Sequence, residues 1–181
     1  MTKYMGIDAS TKSIAWGIIE KDQLLSYGEF YFTSSDFDYR LYQARTIMES
    51  QFFLDIFNST DYITFEKAII GPNREVALKM AQMFGVIKSV LKESTAKLVE
   101  APPMSWQEKI GNPVFRGRAR TDFFKQHPEW KTRSQMNNGI RAHRKAVTQK
   151  IVYERFGEMI ESDNVTDAIG IAVFGEMVLK R

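Results

Sequence analysis

The chain contains no cysteine, which removes disulfides, thiolate catalysis and sulfur-held zinc from consideration. It has no apolar run approaching the roughly 20 residues that a membrane helix needs. No Gly-rich phosphate loop, internal repeat or low-complexity tract is present either, which argues against an ATP-binding kinase or actin-like protein, a solenoid or a linker. The N-terminal stretch MTKYMGIDAS enters a strand almost at once, without a charged leader or cleavable apolar segment, so a cytoplasmic protein is expected.

What is present is ordinary globular composition over 181 residues, enough for one domain, 1–181, that hides roughly 70% of its unfolded surface. Net charge is only +3, but it is unevenly spread. Between Lys109 and Lys150, eleven Lys or Arg stand against two acids, Asp122 and Glu129, so the remainder of the chain is net acidic. A basic block of this kind reads as a surface for a polyanion, because each phosphate neutralised releases condensed counterions. Its alternative is a solvated loop.

Residues 3–8, 14–20 and 24–32 are three short runs of β-branched, aromatic and aliphatic residues, and they predict an antiparallel meander. Apolar residues at helical spacing predict one amphipathic helix over 35–58, after a Ser-Ser-Asp cap. YITFE at 62–66 is a buried strand that ends on an acid. A helix at 74–93, a fifth strand at 96–101 stopped by Pro102-Pro103, and helices at about 140–156 and 164–179 complete the order. Between 111 and 139 lies a basic, poorly periodic insertion. Three antiparallel strands followed by βα units make an α/β protein with a five-stranded mixed sheet and helices on both faces. That is the order of the ribonuclease H-like fold.

Asp8 ends the first strand, Glu66 ends the fourth, and ESDNVTDAIGIA at 161–172 opens the last helix with further acids. Most have an ordinary reading: Asp8 caps the ASTKS turn, while Asp163 and Asn164 cap a helix and Asp167 suits its dipole. Glu66 is different, since an acid closing a central strand is usually paired or liganding. Together they bring acids from three segments to one end of the predicted sheet. Carboxylates that close repel one another unless a cation lies between them, and hard cations such as Mg2+ take oxygen ligands.

The sequence resembles the RuvC-like Holliday junction resolvases, above all the divergent ones of bacteriophages and poxviruses, through GIDAST…AWGII, ITFEKAI, ALKMAQMFGVI and DNVTDAIGIA. The resemblance implies a homodimeric endonuclease that cuts branched DNA, the four-way junction first, with two Mg2+ ions for which Mn2+ substitutes. For a phage-type member the setting would be the cytoplasm of an infected host. By position it implies Asp8, Glu66, Asn164 and Asp167 as metal ligands and catalytic residues, with Lys145 beside the scissile phosphate. Asn164 departs from the family, which has an acid or, in some members, histidine there. Either Asp163 takes over on the same helix face, or Asn164 is a neutral ligand, or the substitution inactivates the chain.

The candidate DNA contacts are Arg116, Arg118, Arg120, Arg133, Arg141, Arg144 and Lys150. Ile69, beside Ile70, stands where wedge-bearing resolvases carry an aromatic residue. Trp130 is expected to pack rather than stack on a base, and His143 to be structural. The helix at 74–93, with Met80, Met83 and Phe84, is the candidate dimer face. The competing functions are a ribonuclease H-like nuclease on flaps, RNA–DNA hybrids or structured RNA, and a catalytically weakened junction-binding protein.

Overall fold

The computed structural model describes residues 1–67 and 73–180. Strands β1 (Tyr4–Ala9), β2 (Ser13–Glu20) and β3 (Gln23–Tyr31) form the expected antiparallel meander. β4 (Tyr62–Glu66) then lies parallel to β1, and β5 (Lys97–Ala101) parallel to β4. The sheet order is therefore β3-β2-β1-β4-β5. β1 and β2 are buried on both faces and read as nearly continuous apolar runs, whereas β3 at the edge alternates with solvent.

Alternation along the strands sorts side chains between two layers. Met5, Ile7, Ile14, Trp16, Ile63 and Phe65 face one core, which is closed by α1 (Phe37–Met48), α2 (Gln51–Asn58) and α3 (Arg74–Leu91). Tyr4, Ala15 and Ile19 face the other, which is closed by α7 (Asp163–Leu179) and backed by α6 (Arg133–Phe156). From Val165 to Glu176 only Asp167 escapes full burial, so α7 is apolar almost all round and serves as the central helix of that layer. Its close approach depends on two glycines. A Cβ on Gly6 would sit 1.9 Å from the Ala168 carbonyl oxygen, and one on Gly17 2.4 Å from Ile169 Cγ1.

Two expectations are corrected. The single helix over 35–58 is two helices, broken where Ser50 turns extended, with φ −64° and ψ 149°, to start α2. The Ser50 hydroxyl donates to the Ile47 carbonyl. That bond closes α1, and the break lets Met48 and Phe53 both reach the core fully buried. The basic segment at 111–139 carries helix that its weak periodicity hid: α4 (Pro103–Lys109) precedes it, α5 (Gly117–Lys125) lies within it, and α6 begins at Arg133 rather than near Ile140. A Thr132/Gln135 capping box sets that early start. This basic segment also has its own small aromatic cluster. Trp130 stacks on His127 at 3.9 Å, and His143 meets Phe115 and Phe123 edge-on. Trp130, half-buried, therefore packs, whereas His143 stays exposed while its ring lies against Phe115 and Phe123.

Candidate active site

In the parallel pair β1–β4, Ile7 lies opposite Phe65. The next residues, Asp8 and Glu66, thus leave the carboxyl ends of neighbouring strands side by side. Period-2 alternation turns both toward the α7 layer, since Ile7 and Phe65 face the opposite core. Asp167 comes to them one turn into α7. All three line one open recess of about 400 Å³, with Ser10, Gln107, Asn137, Ile140, Arg141, Arg144, Lys145, Thr148 and Asn164.

The acids perturb one another as buried like charges must. Asp8 is raised well above the usual carboxylate range by desolvation, then by the charges of Glu66, Asp167 and Glu29. Asp167 is pushed up to about 7 by desolvation and by Glu66. Glu66 is also raised by desolvation, against the pull of the Trp106 indole, whose Nε1 donates to its Oε2 at 2.6 Å, and of the nearby Arg144 cation. Trp106 is fully buried on α4, so it fixes one oxygen of Glu66 from within the core.

Asn164 lines the recess, and its amide donates to Glu29 Oε1 at 2.6 Å. Asp163 is engaged elsewhere: Lys145 Nζ lies 2.6 Å from its Oδ2, and Gln149 donates to its Oδ1 at 3.2 Å. Of the two neighbours, Asn164 holds the cavity position. Glu29 is held below the usual carboxylate range, because hydrogen bonds from Asn164, Ser162 and Tyr31 outweigh its desolvation.

Among the expected DNA contacts, Arg141 and Arg144 reach the recess from α6, together with Lys145. Arg144 Nε is buried without a hydrogen-bond partner among the described residues. The others lie outside the recess. Arg118 pairs with Asp122, Lys150 with Glu154, and Arg120 donates to Asn137 while lying over the Phe124 ring. Arg116 contacts Met104, and Arg133 starts α6 in solvent. Ile69 and Ile70 fall outside the described residues. On α3, Met83 is core and Phe84 packs against it, so the exposed apolar residues there are Val76 and Leu78.

Sequence reasoning missed Trp106, Glu29, Gln107 and Asn137. Glu29 gave no distinct signal, since it lies on an edge strand whose residues alternate with solvent. Trp106 had none, since a tryptophan on a short helix is ordinarily packing alone.

Among the described residues, no three acidic or histidine side chains are grouped so as to hold a metal ion as they stand. The donor set still fits a hard divalent cation in its chemistry: three carboxylates and a carboxamide, all oxygen, with mutual repulsion that the neighbouring cations leave uncompensated.

Solved structures with a similar fold include Thermus thermophilus RuvC in complex with a Holliday junction substrate, at a TM-score of 0.68 and 12% identity, and Thermus thermophilus RuvC alone, at 0.67 and 13%. Each likeness covers 99% of this chain and 96% of the other. The chain therefore has the RuvC, ribonuclease H-like fold. No family model matches the sequence, and no curated protein matches it.

Proposed function

We propose that the chain is a divalent-metal-dependent endonuclease that hydrolyses branched DNA, with the four-way junction as its foremost substrate. The observation that carries this reading is the recess itself. β1, β4 and α7 each deliver one carboxylate to it, and α6 sets Arg141, Arg144 and Lys145 on its rim. The fold likeness to a RuvC bound to a Holliday junction and the resemblance to phage and poxvirus resolvases both support it.

Asp8, Glu66 and Asp167 would hold two Mg2+ ions, or Mn2+ in their place, and Asn164 would add a neutral oxygen. Held there, such ions would supply activation of a water for in-line attack and compensation of charge on the leaving oxygen. Arg144 supplies a guanidinium already inside the recess, with donors to spare for a phosphate. Lys145 would exchange Asp163 for that phosphate when DNA arrives. Trp106 keeps Glu66 oriented throughout. A two-fold junction is served by a homodimer with two related recesses, and the exposed Val76 and Leu78 on α3 offer apolar surface for it. For a phage resolvase the place of action is the infected cell's cytoplasm.

Cleavage of matched four-way junction, flap, fork and RNA–DNA hybrid substrates, with Mg2+ or with EDTA, tests the reading. Junction cutting that requires Mg2+ and disappears in Asp8→Asn is expected. Comparable cutting of the hybrid without junction preference would replace the substrate assignment. Asn164 favours a second reading, a junction-binding protein with weakened catalysis, which would show tight junction binding and no cutting in either Mg2+ or Mn2+.

A further inference from the structure

Asn164 is held on the side away from the recess by a network that begins on the edge strand. Glu29 pairs with Ala15 across β2–β3 and so shares the face on which α7 packs. Its Oε1 accepts from Asn164 Nδ2 at 2.6 Å. Its Oε2 accepts from the Ser162 hydroxyl at 2.7 Å and from Tyr31 at 2.8 Å. The same Asn164 Nδ2 also donates to Ser13 Oγ at 3.4 Å.

An ionised carboxylate only accepts, so it selects the NH2 end of the carboxamide. Both Nδ2 protons are then committed to Glu29 and Ser13. The atom that remains for the recess is Oδ1. Asn164 lines that recess, whereas Glu29 and Ser13 do not.

We propose that Glu29 is a positioning residue that fixes the Asn164 side chain with its carboxamide oxygen toward the recess, making Asn164 an uncharged fourth oxygen donor beside Asp8, Glu66 and Asp167. The negative charge absent from position 164 is thereby carried one step behind it. This rests on the metal-site reading above. An alternative role for Glu29 is purely structural: an acid at the N-terminus of α7 suits the helix dipole and supports the Ser162 cap.

The test is a double-mutant cycle on Mg2+ affinity, measured by calorimetry on the full chain without DNA. Glu29→Ala and Asn164→Ala should each weaken Mg2+ binding by about ten- to a hundredfold, the usual cost of disturbing a group that orients a ligand or of losing a donor. The double variant should bind no worse than Asn164→Ala alone. Multiplying losses, or Mg2+ binding unchanged in Glu29→Ala, would overturn the proposal, and a structural role would lower the melting temperature in EDTA without this coupling. Glu29→Gln preserves shape and reads out the same cycle if the alanine variant fails to fold. Asp8→Asn separates the two levels. If it abolishes Mg2+ binding while the cycle is additive, only the Glu29 role fails; if Mg2+ still binds, the metal site itself has been misplaced.

Discussion

Replacing Trp106 by Phe tests how strongly the core holds the acid cluster. The indole is fully buried, packs beneath Gly170, and gives its one polar hydrogen to Glu66. Phenylalanine keeps an aromatic ring but leaves Glu66 Oε2 without that donor. A hydrogen bond to a charged group contributes about 1.5–3 kcal/mol. The smaller ring leaves a void worth roughly 1 kcal/mol more, well under the cost of full truncation to alanine. A loss of about 2–4 kcal/mol lowers the melting temperature of a chain this size by on the order of 10 °C. Function changes as well, because the indole lowers the Glu66 pKa against its burial. Without it Glu66 holds its proton to higher pH, and Mg2+ must compete with that proton. Thermal melts and Mg2+ titrations of junction cleavage at pH 7 and pH 8.5 are the assays, with a weaker Mg2+ response expected chiefly at the lower pH. A stability loss below about 1 kcal/mol together with an unchanged Mg2+ response would refute the reasoning, since the bond would then contribute less than a neutral one.

In EDTA the folded chain should lose stability as pH rises from about 4 to about 7. The folded pKa of Asp167, about 7, lies above its unfolded value, so the native state holds a proton that the unfolded chain has released. Denaturant melts across that range check this, and a flat profile would show that the recess does not strain its acids. Gly6→Ala would drive a Cβ into the backbone of α7 at Ala168, and a loss above about 4 kcal/mol or failure to fold is expected; a soluble variant with wild-type melting would show that α7 can lift from β1. Arg144→Ala should slow cleavage by about 10²-fold with Mg2+ affinity largely kept, as for loss of a preorganised donor to a phosphate. An unchanged single-turnover rate would remove Arg144 from the site.

The positions of Asp8 and Glu66 at strand ends follow from local pattern, because apolar runs bounded by turns mark strands and a terminal acid needs a polar outlet. Asp167 was legible as an acid in the opening turns of the last helix, although the cap is Ser162 rather than Asp163 or Asn164. The break at Ser50 was not readable in this way. Helical spacing runs on through both halves, and only packing Met48 and Phe53 into one core separates them. The basic segment concealed a helix because its apolar residues, Phe123 and Trp130 among them, serve a small local cluster with His127 rather than the main sheet.

The sequence by itself determined the order of the five strands, the acids and the basic block, since these depend on periodicity, turn chemistry and charge within a few residues. Tertiary structure alone decided which groups support the acids. Trp106 meets Glu66 across 40 residues of chain, and Glu29 meets Asn164 across 135. No local pattern encodes such pairs. They exist because α4 packs against α7 and because α7 crosses the sheet to its edge strand, bringing an indole and a carboxylate within hydrogen-bond reach of residues whose chemistry they then set.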